Sequence, residues 1–126
     1  MTRKSIWPVL AGFLLFMALG IGADFLLRVS FPATFGHSGA NLTWFAAMVI
    51  IVHDAAFGVA GGYFTARFAG SRPMTHAAVL GGVVILLSIV GLIGSKAPVW
   101  FNLCYLAMIL PSVCAGALVR TRQANA

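Results

Sequence analysis

The sequence predicts an all-α protein, an integral-membrane four-helix bundle built from two antiparallel transmembrane hairpins. Three observations predict it. Hydrophobic residues make up 61% of the 126-residue chain and charged residues only 8%, against about 25% charged in a soluble domain. The apolar residues gather into four stretches of the ~20 residues that a helix needs to cross hydrocarbon. The basic residues sit beside the ends of those stretches, where membrane topology is set. The net charge of +6 is thus a topology signal, and no nucleic-acid partner is expected. One transmembrane domain, 1–126, is expected to account for the whole chain.

The first span is expected over 6–27. MTRKS before an apolar run resembles a signal peptide, but the run is long and Ala18 to Ala23 offers no A-x-A site, which favours an uncleaved span. Pro8 suits a first helical turn, where its missing N–H matters little. Asp24 and Arg28 lie at i, i+4 with the acid first, the favourable order. Arg28 is expected to snorkel to the interface with Asp24 neutralised beside it. Residues 29–41 read as the longest loop, punctuated by Pro32, Gly36, His37, Ser38 and Gly39. Phe31 and Phe35 are expected against headgroups, and His37 in solvent.

The second span is expected over 43–66, capped by Asn41 or Thr43, with Trp44 at the interface. Gly70-Ser71-Arg72-Pro73 then turns the chain. The third span is expected over 74–94, with Thr75 as its cap and His76 near the headgroups. Ser95-Lys96-Ala97-Pro98 is short enough to make spans three and four antiparallel neighbours. The fourth is expected over 99–119, with Trp100 at its interface and a kink at Pro111 that frees a carbonyl near Ala107. TRQANA reads as a polar tail. Cys104 and Cys114 are separated by about 15 Å along that helix, too far for a disulfide. They read as small apolar core residues.

Orientation follows from the basic residues. Arg3, Lys4, Arg67, Arg72, Arg120 and Arg122 fall on one side; only Arg28 and Lys96 fall on the other. The positive-inside rule places both termini in the cytoplasm. Val9 to Gly12 resembles Val79 to Gly82, and Gly58 to Gly62 resembles Ser112 to Gly116, as in two parallel hairpins related by an axis along the bilayer normal. Gly58-xxx-Gly62 and Ser112-xxx-Gly116 are small-xxx-small faces, so spans two and four are expected to pack together or against a second copy.

Chemistry is expected on the second span. Asp54, Gly58, Gly61, Gly62 and Thr65 share one helical face. An ionisable residue in hydrocarbon costs ~2.5–3.5 kcal/mol on insertion scales, so Asp54 must face a bundle interior or cavity. By depth, Asp24, Ser88, Asn102 and Tyr105, with Asn41 outside them, could line an outward vestibule narrowing toward Asp54. The other half offers only Tyr63 and Thr65, so no complete polar route is visible. His53 lies about 100° round the helix from Asp54, with Val49, Phe57, Ala60 and Phe64. It is therefore expected to form no dyad with Asp54 and to meet lipid or a partner. A haem or chlorin on His53 is disfavoured: Val49 fills the space a macrocycle needs, and His76 is half a bilayer away. No metal spacing, nucleophile–base pair, phosphate loop or HExxH occurs.

The run GGYFTARFAGSRPMTHAAVLGG, then Pro98-Val99-Trp100 and a last span containing Pro111, resembles small uncharacterised bacterial four-span inner-membrane proteins. The resemblance implies four spans in a bacterial inner membrane, no established activity and no site residues. The leading expectation is a non-enzymatic integral protein in the lipid bilayer, an accessory or structural subunit of a larger complex or a homo-oligomer. The alternative is a small channel or proton-coupled transporter with Asp54 as its ionisable site. A haem- or pigment-carrying subunit using His53 comes third.

Overall fold

A computed structural model describes residues 3–35 and 42–126. Its elements are α1 (Arg3–Ser30), a single-turn α2 (Pro32–Phe35), α3 (Trp44–Phe68), α4 (Pro73–Leu92) and α5 (Val99–Asn125). The four long helices are each long and apolar enough to cross a bilayer. The chain is thus an all-α, multi-pass membrane four-helix bundle.

The helix termini follow local chemistry. Thr43 caps α3, its Oγ1 accepting from the Ala46 amide at 3.2 Å; the other candidate cap, Asn41, lies outside the described residues, as does His37. Thr75 does not cap the next helix. Pro73 opens α4, where its missing N–H costs nothing, after Arg72, which has a left-handed φ of 50°. Gly94, with φ of 89°, lies just past α4, a position where only glycine avoids a Cβ clash. TRQANA is not a tail: α5 runs through Pro111 to Asn125, and Thr121 Oγ1 donates back to the Ala117 carbonyl at 2.8 Å.

α3 is the hub. It packs most extensively on α5, then α1, then α4, while α1 and α5 occupy opposite corners. α3 and α5 run in the same direction. Trp44 stacks on Trp100 at one end, centroids 5.0 Å apart, Gly58 meets Ser112 in the middle, and the Tyr63 hydroxyl donates to Gln123 Oε1 at 2.9 Å further along. α1 runs against α3, with Gly12 beside Gly61 and Gly20 beside Asp54. The chain termini and the 69–72 turn therefore share one end, and the α1–α3 and α4–α5 connections share the other, called here the far end.

Close approach depends on small side chains, since packing contacts rather than water exclusion hold helices together in lipid. A methyl group at Gly62 would strike the Val113 carbonyl, and one at Gly116 the Val59 carbonyl. α1 meets the bundle along Pro8, Gly12, Phe16, Gly20 and Asp24, every fourth residue on one face. The core is centred on Phe16, Leu80, Val84, Ile109, Val113 and Ala117.

Three further expectations are corrected. Cys104 is exposed on the outside of the bundle, because the inward face of α5 falls instead at Tyr105, Ile109, Ser112 and Gly116. Phe35 is buried with Ala46 and Ile50, since the α2 turn folds it inward and leaves Phe31 outside, 58% exposed. His76 is buried rather than among headgroups, its Nδ1 donating to the Arg72 carbonyl at 2.9 Å.

Candidate functional site in the far half of the bundle

Asp54 lies about 15 Å along α3 from Trp44 and retains 6% exposure. The periodicity that aligns it with Gly58, Gly61, Gly62 and Thr65 holds: all five are buried. Gly20 of α1 makes room for the carboxylate, since a Cβ there would stand 3.8 Å from Oδ1. From α5, Tyr105 is a near neighbour of the same carboxylate.

His53 corrects the expectation that it turns away. Its Nε2 stands 3.2 Å from Asp54 Oδ1 and 3.7 Å from Asp24 Oδ1, and its side chain is only 18% exposed. The cause is a hydrogen bond along its own helix. Nδ1 lies 2.9 Å from the Val49 carbonyl, which can only accept, so Nδ1 carries a proton. That bond, with the Phe57 ring set perpendicular to the imidazole at a centroid distance of 5.2 Å, swings Nε2 back toward the two acids. Cβ direction alone placed His53 on the outer face; two side-chain torsions reverse it.

The tautomer has a chemical consequence. With Nδ1 protonated, a neutral ring presents a lone pair at Nε2 to two carboxylate oxygens. That arrangement is repulsive until a proton lies between them. Asp24, His53 and Asp54 thus stand together as a cluster of ionisable side chains, in which His53 Nε2 and Asp54 Oδ1 face each other without a hydrogen-bond partner. Nδ1 of His53 is engaged along its own helix and Nε2 is turned into the bundle.

Two cavities lie toward the far end, and Tyr105 on the wall of one of them is the nearest approach of their linings to this group. One of about 180 Å³ is lined by Ser88, Asn102 and Tyr105. A larger one of about 350 Å³, lined by Arg28 and Lys96, shares Gly91, Ser95 and Phe101 with it. Ser88, Asn102 and Tyr105 therefore do converge, whereas Asp24 turns toward His53. Asn102 reaches the link before α5, its Nδ2 donating to the Ala97 carbonyl at 3.4 Å. Arg28 was read from sequence as a snorkelling cation; its place on this cavity wall could not be read from α1 alone.

Gly58, Gly61, Gly62, Ser112 and Gly116 are occupied in helix packing, and the Ser112 hydroxyl donates to the Ile109 carbonyl at 2.8 Å. Toward the termini the interior is filled mainly by apolar side chains, with Thr65 fully buried where α1 crosses α3 and His76 buried in the first turn of α4. Among the described residues no group of three or more His, Cys, Asp or Glu side chains is placed to hold a metal ion.

Fold and site define a multi-pass helical membrane protein with an ionisable cluster inside its bundle. Compared with protein-family models, with curated proteins and with solved structures, the chain finds no match.

Proposed function

We propose that this is a non-enzymatic membrane protein of the bacterial inner membrane, with both termini cytoplasmic, that moves protons alone or with a solute. Asp54 is its proton-binding site. The observation that carries the reading is the convergence of Asp24, His53 and Tyr105 on a nearly buried Asp54. Ionisable groups inside membrane bundles mark proton and ion paths, and here a cavity in the same half of the bundle is walled by Tyr105, the neighbour of Asp54. The small-residue faces that favoured an accessory subunit are used within the chain, so they no longer argue for a partner. The apolar terminal half implies that passage needs a rearrangement of the helices or a second copy.

Asp54→Asn tests the reading, because it keeps shape and removes the titratable group. Wild-type protein in vesicles should move protons, reported by an internal pH dye under a potassium-diffusion potential, faster than empty vesicles. The variant, eluting at the same native size, should fall to the empty-vesicle rate. Equal rates in wild type and variant would sink the proposal.

A further inference from the structure

We propose that His53 relays protons between Asp24 and Asp54 through its Nε2 atom, with Asp24 as the residue that takes protons from the far end. The inference deepens the transport reading and rests on it, since it names the route by which Asp54 is loaded.

Nε2 is the ring nitrogen turned to both acids, 3.2 Å from Asp54 Oδ1 and 3.7 Å from Asp24 Oδ1. The shorter distance is that of a hydrogen bond, and the longer lies about 0.5 Å beyond the usual range. The ring therefore serves Asp54 as it stands and reaches Asp24 by a small tilt. Nε2 and Asp54 Oδ1 are buried without a hydrogen-bond partner, an arrangement that is costly in a static core and is relieved by one proton between them. Exposure rises along the series: the side chains are 9% exposed at Asp54, 18% at His53 and 39% at Asp24. Asp24 lies six residues, about 9 Å, from the end of α1. An ionisable side chain avoids hydrocarbon, so the open edge of Asp24 is where far-end water meets the group.

The Nδ1 hydrogen bond decides how the ring works. Nδ1–H is held by the Val49 carbonyl at 2.9 Å, so protons come and go at Nε2 alone. A protonated Asp24 gives its proton to Nε2, leaving a carboxylate and an imidazolium. The Nε2–H bond then breaks as the proton passes to Asp54 Oδ1, which restores the neutral ring with Nδ1–H intact. Asp24 reloads from water, and the net result is one proton moved from water to Asp54. No exchange of tautomers is needed, and imidazole is suited to both taking and giving. Of the other ionisable groups, Tyr105 neighbours Asp54 from α5, and Arg28 follows Asp24 by one turn and has a partner of its own. α4 carries its one ionisable residue, His76, at the opposite end.

The test applies the same vesicle assay to Asp24→Asn, Asp24→Glu and His53→Gln, each checked for native size. Glutamine carries an amide out toward the Nε2 position without a titratable nitrogen. We expect Asp24→Asn and His53→Gln to slow proton movement by about 100-fold or to the empty-vesicle rate, the lower end of what a positioned acid–base group supplies. Asp24→Glu should retain the wild-type rate, which a purely structural role for the carboxyl does not predict. Asp24 is partly exposed, so its two variants remain informative even if His53→Gln does not fold. A second measurement needs no transport: 15N spectra of histidine-labelled protein in micelles, assigned by single glutamine replacements of the three histidines. Nδ1 of His53 should stay protonated throughout a pH titration, and Nε2 alone should change. A neutral His53 ring carrying its proton on Nε2 overturns the relay. So do wild-type rates in Asp24→Asn and His53→Gln beside the empty-vesicle rate in Asp54→Asn, a result that keeps Asp54 as the transport site loaded by another route. Asp24→Glu as slow as Asp24→Asn would overturn the entry role of Asp24. Wild-type protein no faster than empty vesicles would remove the transport reading, and the relay would fall with it.

Discussion

At the scale of single residues, Tyr105 and His53 show how neighbours decide what a buried acid does. Asp54 is held by groups from three helices: Asp24 and Gly20 of α1, His53 of its own helix and Tyr105 of α5. Removing one donor from a buried acceptor costs about 1–3 kcal/mol, more than the bond itself contributes net. Tyr105→Phe should therefore destabilise the protein by that amount in reversible unfolding in mixed micelles. An unchanged midpoint would mean that the phenol is not a partner of Asp54. The acid itself was legible in the sequence, because a carboxylate in an apolar run has to face inward and the glycine periodicity shows which way inward is. His53 was not. A helical wheel fixes where Cβ points, but the ring turns about two torsions, and its bond to the Val49 carbonyl selects the rotamer.

Between elements, the α3–α5 contact is set by backbone proximity. At Gly62 a Cβ would meet the backbone carbonyl, carbon and Cα of Val113, none of which can rotate away. Gly62→Ala must push two helices apart and should cost at least ~1–3 kcal/mol, as overpacking does. Gly82 on α4 has nothing within 4 Å of its Cβ position. Gly82→Ala should therefore be neutral or stabilise by about 0.4–1 kcal/mol, through helix propensity and a less flexible unfolded chain. Measured side by side in micelles, a similar loss for both would show that close approach is not what holds α3 to α5. The small-residue spacing made this contact legible. The helix ends were less so. Hydropathy stops at Val119, but α5 continues because polar residues beyond the apolar core form helix as readily as apolar ones. The start of α4 was legible to within a residue, but its cap was not: a proline-led first turn needs no side-chain cap, and Thr75 lies inside the helix.

Across the whole molecule, polarity is distributed unequally between the two halves. The far half holds the ionisable cluster and the cavities, and the half toward the termini holds the close-packed apolar core. A protein that opens to one compartment and is sealed toward the other needs a defined orientation. The charge distribution supplies one, since only Arg28 and Lys96 lie at the far end. The prediction is that the far end faces away from the cytoplasm. A background carrying Cys104→Ala and Cys114→Ala, both free thiols, removes the native targets. Single cysteines at Lys96 and at Ser71, both exposed positions at opposite ends, then report each side to a membrane-impermeant maleimide. In intact inner-membrane spheroplasts Lys96→Cys should label and Ser71→Cys should label only after permeabilisation. The reverse pattern would place the cavities on the cytoplasmic side and reverse the direction from which protons reach Asp54. Labelling of both positions before permeabilisation would mean that the chain inserts in two orientations, and a one-sided vestibule would then have no fixed direction.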